Sequence, residues 1–127
     1  MTLHKQATPL AERCPIRDVL DRLSDRWTVL VLYELEKGTL RFSECKKRIP
    51  DISPRMLAQT LRNLERDGLV SRTVYASVPP KVEYAMTNMG VSFFASIQPM
   101  VTWAATHQEA VRAARSTYVA PTGYAAK

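Results

Sequence analysis

Arg55, Gln59, Arg62 and Arg66 recur at steps of four, three and four residues in the stretch that follows Ser53-Pro54. With Leu57 set at 0° and about 100° per helical residue, these four fall between about 140° and 200°, with Met56 and Asn63 beside them. Leu61 then lies near 40° and Leu64 near 340°, so three leucines form one narrow stripe on the opposite side. The polar side carries three arginines, a glutamine and an asparagine, while Glu65 and Asp67 are displaced from it. Solvated helix faces usually mix signs of charge, and this one does not. A guanidinium can donate to guanine O6 and N7, and a carboxamide can pair with adenine N6 and N7. The chemistry predicted here is hydrogen-bond readout of base edges in a duplex major groove. The competing reading is an ordinary basic face in water.

Arg41, Lys46, Lys47 and Arg48 precede this stretch and Arg72 follows it, opposed nearby by Glu44 and Asp51. Such cations neutralise phosphates and set orientation without reading sequence. Lys81, next to Pro79-Pro80, is placed at a hairpin tip, either touching the DNA backbone or minor groove or serving as a solubilising charge. The expected DNA-contacting set is Arg41, Lys46, Ser53, Arg55, Met56, Gln59, Thr60, Arg62, Asn63 and Lys81. The polar face suits B-form DNA, because A-form RNA has too narrow a major groove to admit it.

Other chemistries find little support. No nucleophile–base pair, carboxylate dyad or phosphate-cradling glycine loop occurs at a recognisable spacing, so no enzyme and no cofactor are expected. His4 and His107 have no carboxylate or thiol at ligand spacing, and no metal is expected. Cys14 stands at a predicted helix start beside Arg13 and Arg17, where the helix dipole and both cations favour the thiolate. It is either a redox-sensing thiol or a small residue packed near the cap. Cys45 is read as structural, although Lys46 and Lys47 beside it favour a lowered pKa. Trp27, Phe94 and Trp103 are candidates for an effector pocket or a dimer interface, and Met86, Met89 and Met100 for gap-filling near the same junction.

These residues need elements to position them. At 127 residues, with 46% hydrophobic and 24% charged content, the chain suits one core. The net charge of +6 and the pI near 9.6 favour polyanionic partners. Two cysteines make no disulfide framework, and no apolar run reaches the roughly 18 residues a membrane span needs. A soluble, unexported, cytoplasmic protein is therefore expected.

Residues 1–13 are expected to form a flexible arm, residues 14–115 the folded domain and residues 116–127 a flexible tail. A first helix opens at Cys14-Pro15 with Ile16, Val19, Leu20 and Leu23 on one face. A second, apolar nearly all round, runs from Trp27 to a stop at Lys37-Gly38. An extended stub over residues 39–42 pairs with a later hairpin, and Ser43 caps a brief helix from Glu44 to Ile49. Ser53-Pro54 opens the helix carrying the arginines, which stops at Asp67-Gly68. Strands over residues 69–77 and 81–86 form the hairpin. Thr87 caps a long helix to about Ala113, with Val91, Phe94, Ile97, Val101 and Ala104 or Ala105 as its apolar stripe and a bend at Pro99. The fold class is mainly α with a small β-hairpin (α+β), and the two short helices joined at residues 50–53 make a helix-turn-helix.

Cys14-Pro15-Ile16, Arg26-Trp27-Thr28, Arg41-Phe42-Ser43-Glu44, Ile52-Ser53-Pro54-Arg55-Met56-Leu57, Leu64-Glu65-Arg66-Asp67-Gly68-Leu69-Val70 and Val78-Pro79-Pro80-Lys81-Val82-Glu83-Tyr84 occur in that order. This set resembles the HxlR-type regulators, relatives of the MarR group, over residues 14–103. The resemblance implies a bacterial winged helix-turn-helix homodimer that binds double-stranded DNA at a pseudo-palindromic operator, most often as a repressor, and answers to a small-molecule effector or oxidant. It assigns the helix from Pro54 to the major groove, residues 78–81 to the wing, and the first and last helices to dimerisation. It also makes Cys14 a candidate sensor. One departure is Ser24-Asp25-Arg26-Trp27, where the family often has Gly-Gly-Lys-Trp. Asp25 adds negative charge there and weakens the case for a DNA backbone contact by that turn. The alternative from another class is a winged-helix protein-interaction module without an operator.

Overall fold

The computed structural model describes residue 21 and residues 25–122. The expected arm, the helix from Cys14 and His4 lie outside the described residues. The elements in chain order are α1 (Arg26–Glu36), β1 (Leu40–Arg41), α2 (Phe42–Arg48), α3 (Pro54–Arg66), β2 (Val70–Tyr75), β3 (Lys81–Met86) and α4 (Asn88–Thr117). They divide into two compact units, one ending at Phe94 and one beginning at Ala95. The architecture is mainly helical with one small sheet, as expected.

Asp25 begins α1: its carboxylate accepts from the Trp27 backbone N–H at 3.0 Å, satisfying one of the donors that a helix start leaves unpaired. The acidic residue that departs from the family pattern is therefore the helix cap. Thr28, Val31, Leu32 and Leu35 are the buried side of α1. The expectation of a helix apolar and buried nearly all round is corrected, because Leu30 and Tyr33 are exposed. A stripe at i, i+3, i+4 and i+7 faces the core and the rest turns outward.

The stub forms as expected: β1 pairs with β3 through Leu40↔Tyr84 and Arg41↔Glu83, giving an antiparallel sheet of order β1-β3-β2. Ser43 does not cap α2. The helix starts earlier, at Phe42, with extended Arg41 as N-cap and the Glu44 carboxylate accepting from the Arg41 backbone N–H at 2.8 Å. Glu44, three residues after the cap, thus serves the start that Ser43 was expected to serve. The hairpin strands are shorter than expected on the β2 side, ending at Tyr75, and the segment to Pro80 is exposed.

Buried Val31, Leu32, Leu35, Leu57, Leu61, Leu64, Val70 and Phe94 form the core of the first unit, joined by Ile49 and Ile52 from the connection between α2 and α3. Thr87 caps α4 as expected, its hydroxyl accepting from the Gly90 N–H at 3.0 Å. Val91 and Met89, expected on the packed side, are both 54% exposed. Met100 is likewise exposed, so it does not fill an internal gap. Pro99 lies inside α4 without ending it, and the helix continues to Thr117, four residues past the expected stop at Ala113.

Candidate nucleic-acid interface

Ser53 holds the start of α3 by accepting from the Met56 N–H at 3.0 Å, and Pro54 follows at the first helical position, where its missing N–H costs nothing. The helix ends at Gly68, whose φ of 78° is readily reached only without a Cβ. Between those signals Leu57, Leu61 and Leu64 are buried, while Arg55, Gln59, Arg62 and Arg66 are exposed. The leucine side therefore packs inward and the basic side faces out. Met56 and Asn63, at the margins, are half-buried.

Thr60 is a correction to the expected contact set. It is 1% exposed, and its hydroxyl donates to the Met56 carbonyl at 2.8 Å, so it has neither the exposure nor a free proton for DNA. The helical wheel already places it about 60° from Leu57, on the leucine side.

The exposed polar groups are partly ordered among themselves. Gln59 Nε2 donates to Asn63 Oδ1 at 3.0 Å, and Arg62 Nη2 donates to Gln59 Oε1 at 3.5 Å. The chain of donors holds the carboxamide of Gln59 in one orientation, which lowers the entropy cost of presenting it to a base. Arg66 Nε lies 3.8 Å from Asp67.

The flanking cations divide by what they touch. Lys46 Nζ donates to the Pro50 carbonyl at 2.7 Å, closing the turn that joins α2 to α3. Arg48 lies 3.7 Å from Glu34 of α1, and Arg41 and Lys47 are exposed. Lys81 opens β3, with Nζ 3.5 Å from Glu83 and 5.0 Å from the Tyr75 ring centroid. A phosphate contact by Lys81 has to compete with that carboxylate.

Cys45 is buried, and its thiol pKa is raised from 9.0 to about 11, first by burial, then by the Glu44 charge, against a smaller opposing effect of Arg48. The structural reading of Cys45 holds, and the lowering that the neighbouring lysines favoured does not occur, because desolvation of a thiolate outweighs screened charges at the surface. At neutral pH the buried Cys45 thiol is thus held in its protonated form. The group supplies stability that is fully present below its unfolded pKa of 9.0 and is lost as pH rises toward about 11. At pH 8, iodoacetamide is expected to modify Cys45 only after denaturation; fast labelling of the native protein would show an open site.

Cys14 lies outside the described residues. Trp27 and Phe94 sit in the first unit, with the Arg26 guanidinium 5.7 Å from the Trp27 ring centroid and the Tyr33 and Phe94 rings 6.3 Å apart. Trp103, in the second unit, is exposed and stacks on His107 at 4.5 Å. A cleft of about 460 Å³ lies along α4 beside Trp103, Gln108, Val111 and Arg115. Sequence reasoning missed a second cleft, where β2 and β3 bring Arg72 and Tyr84 to the side of α3 that carries Arg62. Strand register makes that juxtaposition, and no local pattern announces it.

Comparison with known proteins places this geometry. A family model described as HxlR-like helix-turn-helix matches residues 22–112. The HTH-type transcriptional regulator YtfH of Escherichia coli K12 is 41% identical over 99 residues, 78% of this chain and 79% of its own. The solved structure of transcriptional regulator YtfH from Salmonella typhimurium superposes with a TM-score of 0.74 at 38% identity, covering 87% of this chain and 99% of that one. The redox regulator HypR in its reduced form does so with a TM-score of 0.74 at 35% identity, covering 78% and 98%.

Proposed function

Because the chain belongs to the HxlR-like helix-turn-helix family of transcriptional regulators, we propose that it reads a specific DNA sequence through α3. It does so as a homodimer on a pseudo-palindromic operator, acting as a repressor that answers to a small effector or oxidant. The observation that carries this reading is the segregation on α3: three buried leucines on one side and an exposed set of arginine and amide groups on the other. Burial of the leucines orients the rod, so the opposite face is presented without further cost.

A pair of such helices must stand about 34 Å apart to enter successive major grooves. Support for a partner copy comes from α4, where Met100 and Trp103 stay more than half exposed in the isolated chain, an arrangement favoured when another surface covers them. A small change at that interface alters the spacing and hence the affinity. For oxidant sensing Cys14 is the candidate, since Cys45 is buried and protonated. The redox regulator HypR among the similar structures is consistent with that reading.

The test is selection of preferred duplexes from a random library, followed by binding of variants. Arg55→Ala and Gln59→Ala are each expected to relax preference at one base position by about 1–3 kcal/mol. Equal weakening on every sequence would put those side chains on phosphates instead. A wild type with no sequence preference at any salt concentration would favour a protein-interaction module.

A further inference from the structure

Between α3 and the hairpin lies a cleft of about 310 Å³ lined by Ala58, Arg62 and Glu65 from α3, Arg72 from β2 and Tyr84 from β3. Arg72 and Tyr84 are direct partners across the β2–β3 pair, so their side chains leave the same face of the sheet. Ala58, Arg62 and Glu65 are spaced i, i+4 and i+7, along one side of the helix. The methyl of Ala58 leaves room where a longer side chain would fill the opening. Arg62 and Arg72 are both exposed, and among the described residues neither has a carboxylate within ion-pair distance. Glu83, the nearest acid on β3, leaves the other face of the sheet and pairs with Lys81.

We propose that this cleft is a clamp for one DNA backbone phosphate, held jointly by Arg62 and Arg72; the proposal rests on the DNA-binding reading above. Two guanidiniums against the Glu65 carboxylate leave one net positive charge, which matches the single negative charge of a phosphodiester. The position fits as well. The cleft borders the exposed face of α3, so the strand whose groove receives Arg55 and Gln59 passes its backbone beside it. Forked guanidinium donors suit phosphate oxygens. Arg62 is thereby assigned to docking rather than to base readout, and Arg72, on a strand, becomes a positioning residue for the recognition helix.

The experiment is a salt titration of full-length protein on a duplex selected by it, with thermal unfolding as the control that each variant is folded. Arg72→Ala is expected to weaken binding alike on preferred and scrambled duplexes, and Arg72→Ala and Arg62→Ala are each expected to lower the salt slope by about 0.9 per bound protomer. Their combination is expected to lower it by no more, since one phosphate is shared. A wild-type slope in Arg72→Ala overturns the clamp, as does a double variant that loses two phosphates' worth of slope. Replacing chloride by inorganic phosphate at constant ionic strength is expected to leave binding unchanged. Selective displacement that Arg72→Ala abolishes would assign the cleft to a free anion and overturn the proposal. Sequence preference with an unchanged Arg72→Ala slope would sink only the clamp. A lowered slope without sequence preference would sink only the operator reading.

Discussion

Leu61→Ala is expected to cost about 2–5 kcal/mol of folding stability, visible as a lowered midpoint in chemical denaturation with little change in slope. Leu61 is 1% exposed and stands between Leu57 and Leu64, which are equally buried. The stripe faces α1, whose Val31, Leu32 and Leu35 are also buried. Removing Cγ and its two methyl groups leaves a void that neighbours on helices and strands cannot close, because each is held by its own backbone ladder. The same variant should also lose DNA affinity, since α3 depends on this side for its orientation. An unchanged denaturation midpoint would mean that the leucine side of α3 is not the packed one, and the assignment of the basic side to DNA would fall with it.

Gly90→Ala is expected to destabilise the fold by on the order of 3 kcal/mol, the reverse of what helix propensity alone predicts. An exposed helical glycine replaced by alanine gains about 1 kcal/mol. Gly90 is buried, however, and a Cβ there would fall on the Leu69 carbonyl oxygen, which is backbone and cannot turn aside. Three hydrogen bonds hold that approach. The Thr87 hydroxyl donates to the Gly68 carbonyl at 2.6 Å, the Thr87 N–H donates to the Leu69 carbonyl at 3.1 Å, and the Gly90 N–H donates to the Thr87 hydroxyl at 3.0 Å. The first turn of α4 is thus joined to the exit of α3, so the displacement forced by the new methyl is expected to disturb DNA binding as well as stability. A variant with a raised thermal midpoint would show that the two segments are not closely packed.

The joint also illustrates how the chain's legibility runs out. The caps at Ser53 and Thr87, the stop at Gly68 and the leucine phase of α3 follow from residues a few positions apart, and all are readable in order. The start of α2 was displaced by one turn chemistry winning over another: Glu44 reaching back to Arg41 rather than Ser43 reaching forward. Val91 satisfies a helical period and still faces outward, because a period says that a stripe exists without saying what covers it.

What the amino-acid order determined by itself is the two-sided character of α3: helical phase is set by covalent neighbours, so the separation of leucine from arginine and amide groups exists before any packing occurs. What only the tertiary structure decided depends on groups distant in sequence. The upward shift of the Cys45 thiol pKa comes first from desolvation by the surrounding core. The meeting of Arg72 with Arg62 comes from the register of β2 on β3 and the seating of α3 beside them. Desolvation and strand register are sums over nonlocal contacts, and no spacing along the chain encodes them one residue at a time.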